Sequence, residues 1–203
     1  MKKLKELKLG KNLVEDKNAQ TLAHYLLGKI MHCASGDYLI TVTEAYPAKD
    51  SYSYIYKATH NEDGTKKSEK EIKKDSKAYK ILTDKNMVGK FFLYGGMLHL
   101  AGKENTSENE QIELDNVLIR GAIKIEDNTL IIDDNINMNF GEGRPTTLVD
   151  TLKIDDNNLS TLRIYDSSLS LSFKSEKEKR IGLKGNKPDA EAKYRFFING
   201  IKI

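Results

Sequence analysis

The apolar residues near the start of the chain recur with the period of a helix. In segment 18–32, Leu22, Leu26 and Ile30 follow one another at four-residue intervals and would share one helix face. Gly28 lies in the same segment, and because glycine weakens a helix it indicates either the helix end or a close contact. The pattern predicts an amphipathic helix over residues 18–32.

Beyond this segment most apolar runs have the two-residue alternation of β-strands. The run 38–46 alternates in this way and stops at Pro47, which cannot donate a hydrogen bond to a β-ladder. The runs 91–94 and 97–101 flank Gly95-Gly96, and such a two-residue connection is typical of a β-hairpin. Further strands are predicted in segments 117–125, 126–134, 162–173, 178–185 and 193–203, and a helix is predicted in segment 141–154.

The order of these elements, one helix followed mostly by strands, predicts an α+β fold with a largely antiparallel sheet. The length of 203 residues suits a single domain spanning 1–203. Segment 57–80 interrupts the pattern because it is rich in lysine and acidic residues and poor in large apolar ones. This insertion is either a solvated loop or polar helix, or a basic flap that follows a phosphate backbone.

The composition narrows the class of protein only slightly. The net charge is +3 and the sequence pI is about 8.7, which permits nucleic-acid binding without requiring it. The single cysteine, Cys33, excludes a disulfide framework, and no apolar run reaches the ~20 residues of a membrane helix. The first ten residues lack the apolar stretch of a secretory signal. We therefore expect a cytoplasmic protein with no membrane association.

Two ionisable side chains stand out in apolar surroundings. Glu44 lies near the end of the strand 38–46, and Tyr46, two residues later, is on the same face. Arg120 lies within the apolar run 117–125, where a buried guanidinium needs a partner. Arg120 therefore either forms a structural ion pair with some acid or shares a catalytic site with Glu44. The histidines and the cysteine have no spacing typical of metal ligands, so we expect no metal.

Several segments, in their order along the chain, resemble the alkyladenine (3-methyladenine) DNA glycosylases of the human type. The matching segments are LAHYLLGK at 22–29, VTEAY at 42–46, VLIRGA at 117–122, PTTLVDTLKI at 145–154, and RIGL at 180–183 followed by RFF at 195–197. Each motif is short, but the matches together span nearly the whole chain. The resemblance implies one glycosylase domain with a curved, open-barrel-like sheet flanked by helices, and a β-hairpin that acts as a wedge in DNA.

The resemblance also implies an activity and a set of site residues. Such enzymes flip alkylated purines, chiefly 3-methyladenine, out of double-stranded DNA and hydrolyse the N-glycosidic bond, as monomers and without a cofactor. Glu44 matches the general base that orients the attacking water, and Arg120 and the backbone carbonyl of Ile181 match groups that help place this water. Tyr46 matches the aromatic residue that stacks on the flipped base. An aromatic wall suits an alkylated purine because such a base is cationic.

The chain departs from the family pattern around the base pocket. Tyr54 stands where the family has a pocket histidine, and Tyr94 is predicted in the pocket wall. The residue that fills the gap left by the base is Met97 in one alignment of the hairpin and Tyr94 in the other, with Met97 preferred. Lys85 and Arg180 are predicted to contact phosphates. Acceptance of hypoxanthine and 7-methylguanine stays open, and the alternative function is a non-catalytic damaged-DNA-binding protein of the same fold.

Overall fold

The computed structural model describes residues 6–7, 14–106, 112–127, 129–131, 145–167, 172–183 and 187–202. Four helices lie wholly within these residues: α1 Ala19–Leu26, α2 Tyr54–Thr59, α3 Lys77–Leu82 and α4 Pro145–Leu152. The ten strands are β1 Glu6–Leu7, β2 Ile30–Cys33, β3 Gly36–Tyr46, β4 Phe91–Tyr94, β5 Met97–Thr106, β6 Ile112–Glu126, β7 Thr129–Ile131, β8 Arg163–Tyr165, β9 Ser172–Glu178 and β10 Arg195–Lys202. None of the helices in the described ranges has both the length and the apolar composition needed to cross a membrane.

These strands form one curled antiparallel sheet with the shape of a half-barrel. The order along its main path is β1-β8-β2-β3-β6-β5-β4, while β10 pairs with β3, β9 with β10, and β7 with β6. Helices α1 and α4 bury their apolar faces, including Leu22, Leu26, Leu148 and Leu152, in the core that they share with the sheet. The predicted α+β fold with a curved, mostly antiparallel sheet flanked by helices is confirmed.

The sheet bends at the centre of β3. Residues 36–39 of this strand pair with β2, whereas residues 42–44 pair with β10. The neighbour along this edge of β3 therefore changes from β2 to β10. On the opposite edge the register of β3 against β6 shifts between Ile40 and Val42 and again between Val42 and Thr43. Irregularities of this kind bend a strand and increase its twist. The bend lies immediately before the predicted site residues of β3.

Helix α1 begins as predicted but ends earlier. Its N-cap is Asn18, whose side chain accepts a backbone hydrogen bond at 2.9 Å. The helix ends at Leu26, and the prediction of a helix as far as residue 32 is wrong, because Gly28 has a left-handed φ of +73°. Ile30 keeps the helical spacing of the apolar residues, yet it belongs to β2 and is buried there. Apolar spacing alone does not distinguish a helix turn from a following buried strand.

The predicted hairpin is confirmed. Strands β4 and β5 are joined by Gly95 and Gly96, which have φ of +59° and +72°. A two-residue turn that matches the twist of its strands needs positive φ at both positions, and glycine adopts it without a steric cost.

The predicted strand over 178–185 is wrong. Strand β9 ends at Glu178, and residues 179–183 lie outside the strands, where Gly182 has a left-handed φ of +80° that a strand does not accommodate. Within the predicted strand 162–173 the structure has the shorter β8 and the start of β9. Within the predicted strand 126–134 it has the shorter β7. Parts of the predicted elements fall at 132–134, 141–144, 168–171 and 184–185, which lie outside the described residues.

Segment 57–80 is neither a simple loop nor a continuous helix. Helix α2 ends at Thr59 and helix α3 begins at Lys77, and the residues between them are mostly exposed. Ala78 and Leu82 of α3 are buried, so this end of the insertion packs on the core.

Replacing Gly28 with alanine is expected to destabilise the protein by about 2–4 kcal/mol. Its φ of +73° disfavours an L side chain, and a Cβ there would lie 2.6 Å from the Phe173 ring. Gly64→Ala is the matched control, because Gly64 has a φ of +88° but its Cβ would meet only Tyr56 Oη, at 3.5 Å. Urea unfolding should therefore show a loss of about 1–2 kcal/mol for Gly64→Ala and a larger loss for Gly28→Ala. Equal losses would contradict the role of the Phe173 contact.

Candidate active site

Strands β3 and β6 bring an acidic and a basic side chain together. Glu44 lies opposite Leu118, and Arg120 is two residues further along β6, on the same face of the sheet. Arg120 Nη1 is 3.4 Å from Glu44 Oε1, and the two side chains are 6% and 0% exposed. Glu44 is therefore an ion-pair partner of Arg120, and the pair joins the two residues that the sequence singled out.

The Glu44 carboxylate also accepts two hydrogen bonds. Tyr46 Oη donates to Oε2 at 3.0 Å, which the shared strand face predicts. The backbone N–H of Ile181 donates to Oε1 at 3.2 Å. The resemblance implied a role for the backbone carbonyl of Ile181, whereas the observed contact to Glu44 is made by its amide. These bonds hold the carboxylate in one orientation, since hydrogen bonds to a charged acceptor are among the stronger ones.

A cavity of about 510 Å³ lies in front of this carboxylate. Its walls include Tyr46, Tyr52, Tyr54, Met97, Arg120 and Ile181. Glu44 is fully buried and does not line the cavity, but its carboxylate contacts three residues that do, Tyr46, Arg120 and Ile181. The cavity is thus lined mainly by aromatic and aliphatic side chains, with one guanidinium that pairs with a buried carboxylate, and an apolar cavity with a few polar groups is the usual character of a small-molecule site.

Tyr54 reaches the cavity because of the way helix α2 begins. Ser53 is the N-cap of this helix, and its Oγ accepts a hydrogen bond from the backbone N–H of Tyr56 at 3.1 Å. Tyr54 is the first residue of the helix and lines the cavity. Burial, with further contributions from Tyr94 and Glu44, raises the pKa of Tyr54 to about 12. Its hydroxyl is therefore a hydrogen-bond donor at neutral pH.

Tyr46 is even less able to ionise. Burial and the neighbouring Glu44 carboxylate raise the pKa of Tyr46 well above its ordinary value, and Arg180 opposes them. The phenol therefore keeps its proton and remains the donor to Glu44.

Sequence reasoning missed six lining residues: Tyr52, Lys57, Leu118, Pro145, Gly182 and Leu183. Tyr52 is buried beside Tyr46 and Leu118, and nothing in the sequence distinguished it from the other tyrosines of this segment. Leu118 could have been found, because it precedes Arg120 by two residues and must share its strand face. Lys57 also lines the cavity, and in the sequence it was only the first residue of a polar insertion.

The prediction that Arg180 contacts phosphates is wrong, because its side chain is 0% exposed. Arg180 Nη2 is 2.8 Å from Asp50 Oδ2, and Nη1 donates to the backbone carbonyl of Ala45 at 3.0 Å. The guanidinium also lies over the rings of Tyr46 and Tyr194, at 4.6 and 5.1 Å from their centroids. Arg180 therefore supports the cavity wall from inside the protein.

Tyr94 does not line the main cavity but contacts Tyr54, which does, and its predicted place in the base pocket stays a prediction. Its ring packs edge-on against Tyr54, with 4.4 Å between the centroids. Tyr94 instead lines an adjacent depression of about 420 Å³ and supports Tyr54 from that side. Met97, which follows the Gly95-Gly96 turn, lines the main cavity. Whether Met97 or Tyr94 enters DNA stays a prediction.

Lys85 lies in a short 3₁₀ helix, Lys85–Met87, and is exposed. Nothing in the structure bears on its predicted contact with phosphates. Within the described ranges no group of three or more His, Cys, Asp or Glu side chains could hold a metal ion. The absence of a cofactor stays a prediction.

A buried histidine that sequence reasoning missed lies behind Tyr54. The ring of His99 stacks on Phe92 with 5.1 Å between centroids, and it meets Tyr54 edge-on at 5.5 Å. Its Nδ1 is 3.2 Å from Asn116 Oδ1. Burial lowers the pKa of His99 to about 4, so the ring is neutral at neutral pH. His99 thus packs as a neutral aromatic side chain against the tyrosine of the cavity wall.

The stability of the protein is expected to fall between pH 7 and pH 5 by about 2 kcal/mol because of His99. The pKa of this residue is 6.5 when unperturbed and about 4 when folded, so below pH 6.5 the unfolded chain binds more protons. Stability therefore rises with pH across this window. Urea unfolding at pH 5 and pH 7 should show a smaller pH effect in His99→Phe, which keeps an aromatic ring on Phe92. The same pH effect in both proteins would contradict this assignment.

The cavity therefore has an aromatic wall and a guanidinium that pairs with the buried carboxylate of Glu44. A search of protein-family models found no family that matches the chain, and a search of curated proteins found no match either. The function is therefore inferred from the geometry of this cavity and from the order of the motifs.

Proposed function

We propose that this protein is a monofunctional DNA glycosylase that removes alkylated purines, chiefly 3-methyladenine, and leaves an abasic site. The observation that carries the proposal is the contact of Glu44 with Arg120, Tyr46 and the Ile181 amide at one aromatic cavity. A structural ion pair alone does not require a cavity of about 510 Å³ bounded by three tyrosines in front of it.

The residue types suit the chemistry of base release. As the base leaves, the sugar develops positive charge, and a nearby carboxylate stabilises that charge and removes a proton from the attacking water. A carboxylate oxygen has two lone pairs, and among the described residues Glu44 Oε2 accepts one hydrogen bond, from Tyr46. Glu44 has no exposed surface, so a water that uses the other lone pair requires a displacement of one of the cavity residues in contact with the carboxylate, Tyr46, Arg120 or Ile181. Arg120 at the same wall would hold this water and limit the motion of the carboxylate.

The aromatic wall suits the leaving base. A purine alkylated at N3 or N7 is already cationic, so its glycosidic bond breaks without a strong acid catalyst. Tyr46, Tyr52 and Tyr54 line the cavity, and aromatic rings favour such a base by stacking and by cation–π attraction. The target nucleotide must leave the duplex to reach this cavity. We infer that the protein acts as a monomer on double-stranded DNA and uses no cofactor.

A non-catalytic protein that binds damaged DNA is the second candidate. The observation that favours it is the complete burial of Glu44 and its direct pairing with Arg120, since a closed ion pair also serves stability alone. The two candidates differ in chemistry and share the DNA partner, so one assay separates them.

The test is release of free base from two substrates at neutral pH. A duplex treated with a methylating agent and a duplex with one deoxyinosine are incubated with the protein, and the released bases are separated and quantified. Release of 3-methyladenine supports the proposal, and the inosine duplex measures how selective the cavity is. Tight duplex binding by folded protein without release of any base would support the binding protein. Neither release nor binding would reject both candidates.

A further inference from the structure

A lysine-lined groove extends from the mouth of the cavity over the insertion 57–80. It consists of two depressions of about 390 and 420 Å³, and Lys57 and Lys67 line both of them. Lys187 lines the first depression and Lys73 the second. Lys57 also lines the main cavity, and Tyr54 lines both the cavity and the second depression, so the groove adjoins the cavity. We call these four lysines and the two depressions the basic groove.

Most acidic residues of the insertion have bonding partners other than the groove lysines. The segment holds eight lysines and five acidic residues. Four of these acids bond elsewhere: Asp63 accepts from Thr65, Glu71 accepts from Ser68, Glu69 pairs with Lys74, and Asp75 pairs with Lys80. The fifth, Glu62, lines the outer part of the groove.

The basic groove brings several lysines close together. Among the described residues no carboxylate lies within ion-pair distance of Lys57, Lys73 or Lys187. Partial burial lowers the pKa of Lys57, and the nearby cations Lys187 and Arg180 lower it further, while Asp50 opposes them. Several cations are therefore concentrated around Lys57. Such a concentration of positive charge favours an anionic ligand.

The groove is built on ordered contacts. Lys67 Nζ donates to the backbone carbonyl of Lys57 at 2.7 Å and so ties the loop to helix α2. The rings of Tyr56 and His60 stack in parallel with 3.9 Å between centroids, and both line the groove. Cations beside flat aromatic rings are the usual composition of a surface that follows a nucleic-acid strand.

We propose that the basic groove binds the phosphate backbone of the DNA strand that leads away from the flipped nucleotide, an inference that rests on the proposed function. The shared position of Lys57 carries it, because a strand whose nucleotide occupies the cavity must pass over the surface next to the cavity, and the groove adjoins the cavity at Lys57. The insertion thus adds a DNA-binding surface to the domain. Each lysine that contacts a phosphate releases counterions, so the groove should contribute to the salt dependence of binding.

The test compares a double variant of the groove, Lys73→Gln/Lys187→Gln, with a matched control, Lys124→Gln/Lys174→Gln. Lys124 lies opposite Tyr38 in the sheet, and Tyr38 is roughly 20 Å from Glu44 along β3. Lys174 is an exposed residue of β9. The affinity for an undamaged duplex is measured by fluorescence anisotropy at several salt concentrations. Thermal unfolding of both variants verifies that they are folded.

The slope of log affinity against log salt should become less steep by about 1.8 in the groove variant, which corresponds to two lost phosphate contacts. The control variant should keep the slope of the wild type. An unchanged slope in the groove variant, an equal loss in both variants, or no binding of DNA by the wild type would overturn the proposal. Because this duplex has no damaged base, the result does not depend on catalysis. A protein that binds through the groove but releases no base would contradict the glycosylase and leave the groove supported.

Discussion

Replacing Glu44 with glutamine should reduce the rate of base release by about 10²–10⁴-fold. Glutamine has nearly the same shape, but its single side-chain oxygen can accept the hydrogen bond of Tyr46 or that of the Ile181 amide, not both. It cannot remove a proton from water or stabilise the positive charge of the sugar. The rate is measured in single turnover with excess enzyme on a methylated duplex, so that product release does not obscure the chemical step.

The matched control is Glu113→Gln. Glu113 is also a buried acid on β6, but it pairs with Asn105 of β5 and does not line the cavity. Its substitution should leave the single-turnover rate within about twofold of the wild type. A Glu44→Gln protein that keeps a tenth or more of the wild-type rate would mean that Glu44 is not the general base.

Loss of the Glu44 charge also leaves Arg120 with one fewer buried partner, so the variant is expected to be less stable. Thermal unfolding must therefore accompany the assay. Glu44→Asp provides a second variant that keeps the charge near Arg120 but withdraws the carboxylate by about 1.5 Å, one carbon–carbon bond. It should fold more stably than Glu44→Gln and still release base more slowly than the wild type.

Replacing Arg180 with methionine should lower the free energy of unfolding by about 3–5 kcal/mol. The substitution removes the guanidinium that is 2.8 Å from Asp50 and leaves this carboxylate buried, with a side-chain exposure of 1%. Burial already raises the pKa of Asp50, and Arg180 is the main group that opposes this shift. For a chain of this length the loss corresponds to a fall in Tm of about 6–20 °C.

Two further variants separate the buried ion pair from a general effect of removing a cation. Lys77→Met breaks the exposed pair of Lys77 with Asp156 and should cost less than about 1 kcal/mol. Asp50→Asn added to Arg180→Met removes the uncompensated charge and should recover part of the lost stability. All are compared by urea unfolding at pH 7. Equal losses for Arg180→Met and Lys77→Met would show that the buried pair has no special role.

Local features of the fold could be read from the sequence where one or two residues decide the backbone. Asn18 predicts the start of α1 because its side chain satisfies a free backbone amide, and Gly95-Gly96 predicts the hairpin because few other residues adopt positive φ. The end of α1 could not be read in this way. Ile30 continues the helical spacing, and only its place beside β3 and β8 makes it a strand residue.

Part of the candidate site could also be predicted from residues that are close together in the sequence. Glu44 and Tyr46 share a strand face because side chains alternate, so their hydrogen bond follows from the sequence once the strand is recognised. The buried position of Arg180 could not be predicted from nearby residues in the sequence. Its neighbours along the chain suggested a surface cation, whereas Asp50 and three tyrosines surround it in the structure.

The sequence by itself determined the α+β class, the hairpin, the shared face of Glu44 and Tyr46, and the need of Arg120 for a partner, because each depends on a short-range rule of backbone geometry or solvation. Only the tertiary structure decided that this partner is Glu44, because the pairing depends on the register of β3 against β6 and on the bulges within it. It likewise decided that Tyr94 supports Tyr54 instead of lining the cavity, and that the lysines of the insertion meet the cavity mouth at Lys57. Contacts between distant segments are set by how the sheet curls, and no local pattern in the chain contains that information.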